Sequence, residues 1–446
     1  MSGVKVRVST RVNPWLLSFA MVMVLALLSR LYQLGTFPYF PTQFPWLGAG
    51  PPHQGLYGDE SYRVIEALQF PASFSVHEAS LFGTLATVAS KDLLGSMNWA
   101  YRLPEALASA LTAGVIFMAA KELYRRWEVA LAAGLYFVVM IPALVFGRMV
   151  FYENLVGLFF AATIYFMARF ENDGRRRWLY LGALSAALAP FGKVDGLFVP
   201  LFFTLWAVTT GGRRKKIVPA VLSWLPFAAE GVALLALVGN LQDVLQQWEI
   251  GLVGRELSIQ YLLVQSMPSG HIVGIDLGYI RPDFWYLFGF LALGLLVLKG
   301  SSASKILVEA LFAFVIADFV SFGIGAYYLV MLFPFFALAA GGGMAYFSRI
   351  GSVGALAFYT IFYAPLVATI IGSITLPFVG TNYGLSLLND VLLVLPGAVW
   401  LALEGVSRFT IKRRFPMAVA LLVCFFAVLL IATPEIYSYY FVGAAS

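Results

Sequence analysis

Apolar runs of roughly membrane-spanning length recur along this chain, separated by short clusters of glycine, proline and charge. They fall at about 14–34, 103–123, 127–146, 152–170, 177–192, 194–210, 217–239, 284–299, 306–325, 327–347, 353–375, 384–405 and 416–434. Crossing the ~30 Å hydrocarbon layer takes roughly 20 apolar residues. Among open-ended segments only a helix satisfies its own backbone there. The pattern therefore predicts an all-α polytopic membrane protein with about 13 transmembrane helices. The range is 11 to 13, because the fifth and sixth runs are short and nearly fused. Two connections are long, 36–102 and 240–283. The first carries amphipathic stretches near 60–69 and 79–94, the pattern of helices that lie in the membrane interface.

Composition strengthens this reading. Hydrophobic residues make up 61% of the chain and charged residues 12%, against roughly 25% charged in soluble domains. The first run follows Lys5, Arg7 and Arg11 without a small-residue cleavage site, so it reads as a retained span. The single cysteine, Cys424, lies in an apolar run and rules out a disulfide framework. The net charge of +6 needs no nucleic acid, because Lys and Arg collect in cytoplasmic loops facing anionic lipid.

Parity orients the chain. A cytoplasmic N-terminus puts 21 of the 29 basic residues inside, among them Lys121, Arg125, Arg126, Arg169, Arg175 to Arg177, Arg213 to Lys216 and Lys305. The C-terminus then lies outside, and both long loops are external. The same path puts fourteen of the 23 acids outside, four inside and five within spans. The outer acids include Asp59, Glu60, Glu66, Glu78, Asp92, Glu105, Glu153 and Asp195, several at helix ends from which they could converge on one cavity. Adjacent carboxylates such as Asp59-Glu60 can divide labour between base and orienting group. Equally, Gly58-Asp59 suits a helix N-cap. Three scattered histidines, at 53, 77 and 271, speak against a histidine metal site. Gly341-Gly342-Gly343 reads as close helix packing. Asp318 is the intraspan acid nearest the outer side.

Several of these residues also carry a resemblance. Tyr57-Gly58-Asp59-Glu60-Ser61-Tyr62 resembles the Asp-Glu motif of the GT-C membrane glycosyltransferases, among them the dolichyl-phosphate-mannose protein mannosyltransferases and the lipid A aminoarabinose transferases. Phe74 to Leu81, with His77-Glu78-Ala79, is similar to the mannosyltransferase His-Pro-Pro-Leu motif without its prolines. Tyr101-Arg102-Leu103-Pro104, Gly147-Arg148 with Glu153, Gly192-Lys193, and Tyr327-Tyr328-Leu329 with Pro334 follow in the family's order. The family's basic residue before the late tyrosine is Ala326 here.

The resemblance implies a catalytic membrane module at 1–210, including outer loop 36–102, followed by helices at 211–446 with outer loop 240–283 and no separate soluble domain. It implies an inverting enzyme of the cell membrane, working on the non-cytoplasmic face. The enzyme would move a sugar from a polyprenyl (dolichyl) phosphate to a hydroxyl of a protein or glycolipid acceptor. Asp59 is then the candidate base and Glu60 its assistant or orienting partner. Arg148, Lys193 and Arg102 are candidates for the donor phosphate, and His77, Glu78, Glu153, Asp195 and Tyr328 are further cavity candidates. No cofactor is required by the family's chemistry, while paired acids are equally compatible with a divalent cation. Membrane lipids are the remaining expected partners. The alternative is a transporter or flippase for a lipid-linked sugar, which would predict repeats and midplane binding.

Overall fold

A computed structural model describes residues 13–36, 58–69, 81–229, 232, 284–321 and 326–347. The outer loop at 240–283, His77, Glu78, Cys424 and the runs from 353 onward lie outside these. The described residues are helical, with no strand among them. The helices are α1 (Pro14–Leu31), α2 (Gly58–Gln69), α3 (Leu81–Leu94), α4 (Asn98–Tyr124), α5 (Trp127–Val139), α6 (Ile141–Phe146), α7 (Glu153–Asp173), α8 (Arg176–Gly192), α9 (Phe198–Thr209), α10 (Arg213–Leu222), α11 (Phe284–Leu298), α12 (Ser302–Ser321) and α13 (Phe333–Phe347). Short 3₁₀ turns at Val194–Leu197 and Ala326–Leu332 lead into α9 and α13.

Among the described residues three helical stretches are long and apolar enough to cross a membrane, namely Pro14–Leu31, Asn98–Tyr124 and Leu329–Tyr346. The shorter apolar helices include Trp127–Val139, Val194–Thr209 and Phe288–Leu298. The amphipathic stretches near 60–69 and 79–94 are the helices α2 and α3. The nearly fused fifth and sixth runs are two helices, α8 and α9, that meet at a turn around Lys193 and pack on each other.

The run 127–146, by contrast, is broken, and the break follows from proline chemistry. Pro142 has no N–H, so the carbonyl of Val138 loses its helical donor. The chain leaves helical geometry at Met140. Arg30, buried at the end of α1, supplies what is missing. Its Nη1 donates to Val138 O at 2.9 Å and its Nη2 to Phe137 O at 3.2 Å. Pro104 does the same to Ala100 in α4, and there the Ser90 hydroxyl donates to the freed carbonyl.

α4 is the central post, packing against α1, α3, α5, α7 and α13. Small residues allow the close approach. Gly341 lies against Ala133, Gly342 against the Tyr124 ring and Gly343 against Ala292, so the triple glycine is a packing surface. With 27 residues at ~1.5 Å rise, α4 is roughly 40 Å long, and each end collects one set of polar groups. At its C-terminal end Glu122 meets Arg169 and Asn172, Lys216 meets Glu171, and Lys305 donates to Thr209 O. Lys121 lies over the Trp15 ring at the start of α1. We refer to this as the basic end. At the other end lie Arg30, Glu60, Arg102, Arg148, Glu153 and Lys193.

Candidate active site

α2 brings two opposite charges to one face. Residues three or four apart share a helix face, and Glu60, Arg63, Val64 and Ala67 are all buried. Glu60 reaches Arg102 near the start of α4 through two bonds, Nε–Oε1 at 2.6 Å and Nη2–Oε2 at 2.8 Å. Its Oε1 also accepts from the backbone N–H of Val150 at 3.1 Å. Arg102 in turn donates to Leu34 O at 3.2 Å. The pair thus ties together the chain leaving α1, the start of α2, the entry of α4 and the turn before α7. Such a two-pronged guanidinium–carboxylate contact fixes direction as well as distance.

One turn further along α2, Arg63 forms the second connection. Its guanidinium donates to both oxygens of Glu153, at 3.1 and 3.4 Å. It lies 5.1 Å from the Phe151 ring centre and 4.9 Å from that of Tyr152. Glu153 opens α7, where the helix dipole favours an acid. Lys193, at the end of α8, donates to the same carboxylate at 2.6 Å and lies 3.4 Å from Asp195. Arg63, Glu153, Lys193 and Asp195 therefore form one cluster drawn from α2, α7 and the α8–α9 turn. The Lys193–Asp195 contact is present, but the shorter bond goes to Glu153.

The geometry of the 147–152 turn follows from three local features. Arg148 is buried and donates to Ser29 O at 3.1 Å and to Tyr32 O, carbonyls at the C-terminal end of α1. Helix ends leave such groups without internal donors. Asn154 closes the turn from the other side, donating to Phe146 O and Phe151 O at 3.0 and 2.9 Å. Tyr152 packs against Gly83 of α3, where an added Cβ would come within 2.2 Å of the ring.

Glu105, one turn after Arg102 on α4, is fully buried between these groups. Neither of its carboxyl oxygens has a hydrogen-bond partner among the described residues. Arg63 and Glu153 are its charged neighbours.

Of the residues singled out in the sequence, the structure brings Glu60, Arg102, Arg148, Glu153, Lys193 and Asp195 to one end of the bundle. Asp59 stands in the first turn of α2, next to Glu60, and Tyr328 stands in the 3₁₀ turn before α13. The side chains of Asp59, Tyr328 and Asp318 lie outside the described residues, as do His77 and Glu78 entirely. Among the described residues no three metal-binding side chains gather. Arg63 and Arg30 escaped the sequence reading. Arg63 was findable as the residue one turn beyond Glu60, and Arg30 as an arginine inside an apolar run, an expensive placement that calls for a partner.

The family profile of the dolichyl-phosphate-mannose-protein mannosyltransferases matches residues 81–239, from the start of α3 to beyond α10. No curated protein matches the chain by sequence. Among solved structures, ArnT from Cupriavidus metallidurans bound to undecaprenyl phosphate is similar, with a TM-score of 0.66 and 15% identity over 97% of this chain and 78% of that one. The same protein in its apo state gives 0.64 and 16% identity over the same shares. At this level of identity the likeness is one of fold.

Proposed function

We infer that the chain, whose residues 81–239 match the mannosyltransferase profile and whose fold is similar to that of ArnT, is a GT-C-type membrane glycosyltransferase that transfers a sugar from a polyprenyl phosphate to an acceptor hydroxyl on the non-cytoplasmic face. The observation that carries this reading is the docking of the Asp-Glu helix α2 onto Arg102 and onto the Glu153–Lys193 cluster, all at the end of the bundle away from the basic loops. The basic loops match cytoplasmic segments facing anionic lipid, which supports assigning the site to the opposite face. ArnT was crystallised with undecaprenyl phosphate, and a carrier of that class is the donor proposed here.

In this reading Asp59 takes the proton from the acceptor hydroxyl while the oxygen attacks the anomeric carbon opposite the phosphate. The anomeric configuration inverts and polyprenyl phosphate leaves. Glu60 is held by Arg102 and the Val150 N–H, so it orients the start of α2 rather than abstracting the proton. Arg102 likewise acts through Glu60. Arg148, bonded to the α1 carbonyls, adds positive field. Lys193 is the favoured contact for the leaving phosphate, where a preplaced cation stabilises charge as it develops. The acceptor is a hydroxyl of a protein or glycolipid.

The test is transfer of radiolabelled sugar from a synthetic polyprenyl-phosphate donor by the purified chain in detergent. Asp59→Asn should abolish transfer, and Lys193→Gln should lower it by at least roughly a hundredfold. Undiminished transfer by Asp59→Asn removes Asp59 as the base. A wild-type chain that transfers nothing yet moves lipid-linked sugar between vesicle leaflets would replace the enzyme by a flippase.

A further inference from the structure

At the basic end of the bundle a cavity of about 460 Å³ opens between the last turns of α4, α7 and α9 and the first turn of α12. Its charged lining consists of Glu122, Arg125, Glu171 and Lys305. Both acids are matched by cations outside the lining. Arg169 binds Glu122, and Lys216 binds Glu171 at 2.6 Å. The two cations differ: Lys305 has an acid outside the lining within ion-pair distance, whereas Arg125 has a neutral amide. Arg125 turns Nε and Nη2 onto the single amide oxygen of Asn172, at 3.1 and 2.7 Å. Lys305 donates to the Thr209 carbonyl at 3.2 Å, with the Glu309 carboxylate 3.9 Å away. Trp206 lines the same cavity, and its buried Nε1 has no acceptor among the described residues. Among the described residues the Arg125 guanidinium is thus answered only by a neutral amide, and the Trp206 N–H is unused.

The backbone adds an independent observation. Arg125 ends α4 at φ 54, in the left-handed region. The neighbouring helix α7 ends in the same conformation at Gly174, φ 69, where glycine carries no Cβ penalty. An arginine at such a position holds a strained backbone, and strain of this kind concentrates at binding sites. Here it aims a guanidinium along the cavity wall.

We propose that this cavity binds the phosphate headgroup of an anionic phospholipid from the leaflet at the basic end. Arg125 and Lys305 would take the phosphate oxygens. The site lies at the ends of α4, α7 and α9, and basic pockets between transmembrane helices suit anionic headgroups. Its volume falls in the roughly 300–1,000 Å³ range of small-molecule sites. Free inorganic phosphate shares the recognised chemistry but lacks the acyl chains that anchor the ligand beside the cavity.

Native mass spectrometry of the full-length chain in detergent tests this with phosphatidylglycerol, phosphatidylcholine and inorganic phosphate as separate probes. The wild type should retain phosphatidylglycerol saturably over phosphatidylcholine, and millimolar inorganic phosphate should not displace it. The double variant R125Q/K305Q should weaken retention roughly thirtyfold, the loss expected for two basic contacts at a membrane surface. Arg125→Gly separates binding from folding, since it relieves the left-handed strain. It should melt no lower than wild type and still lose most of the bound lipid. Equal retention by the double variant overturns the proposal, as does equal retention of phosphatidylcholine. Displacement by inorganic phosphate overturns the lipid assignment in favour of a free anion.

Discussion

Glu60 closes on Arg102 through two bonds of 2.6 and 2.8 Å, both side chains shut off from solvent. Removing one member of a buried pair leaves the other charge uncompensated, which costs about 3–5 kcal/mol. Glu60→Gln should therefore lower the thermal midpoint in detergent by several degrees, along with transfer activity. Asp59→Asn should abolish transfer at an unchanged midpoint. A Glu60→Gln variant that melts like wild type while losing transfer would assign the carboxylate to substrate instead.

Arg63 offers a second contrast. Its fork spans both oxygens of Glu153, a geometry that lysine cannot copy. Arg63→Lys should keep part of the transfer rate, and Arg63→Gln should reduce it at least roughly tenfold through loss of a positioned charge. The measurement is initial rate against donor concentration. Identical rates for the two variants would show that charge without the fork contributes nothing to holding Glu153.

Arg30 and Pro142 are coupled through one carbonyl. With Arg30→Met the oxygen of Val138 loses the donor that replaces the missing proline N–H, a loss of about 1–3 kcal/mol. In a Pro142→Ala background the helix can supply that donor itself. A double-mutant cycle on thermal or denaturant stability should then show a coupling of about 1 kcal/mol or more. Additive effects would disprove the link.

Gly83 is a packing position with no room for a methyl group. The added Cβ would lie 2.2 Å from the Tyr152 ring, an overpacking that costs about 1–3 kcal/mol. Gly83→Ala should lower both stability and transfer, because α3 would be pushed off the turn that carries Arg148 and Glu153. Tyr152→Leu should restore part of the loss, and the melting curve of the pair decides it.

Among the described residues no donor is bonded to the buried oxygens of Glu105, so burying it as a carboxylate is costly, with the nearby Arg63 charge the main offset. Glu105→Gln should melt at or above the wild-type midpoint and retain transfer. A midpoint lowered by several degrees would reveal a donor that the carboxylate needs.

How far these relationships could be read from the sequence depended on their range. The amphipathic stretches that became α2 and α3 are local, and so is the closeness of Lys193 to Asp195. The grouping of Glu60, Arg102, Glu153 and Lys193 at one end was accessible because span parity assigns residues to sides without saying which will touch. What parity lacks is lateral position. It could not show that Glu153 pairs with Arg63 and Lys193, or that Arg102 belongs to Glu60 before any phosphate. The break at Met140 was hidden for a different reason. Hydropathy sees Ile141 and Pro142 as apolar continuation, although proline withdraws a donor that Arg30, 108 positions before Val138, returns.

The partners of α2 also set an order of assembly. As the chain is synthesised, Glu60 waits 42 positions for Arg102, and Arg63 waits 90 for Glu153. At roughly 5–20 residues per second the second wait lasts on the order of 5–20 s. Throughout that interval the helix carries at least one charge whose partner has not been made, which keeps it at the aqueous boundary. The helix that carries the Asp-Glu motif is thus made early and docked late, so the cluster it completes cannot form on a half-built bundle.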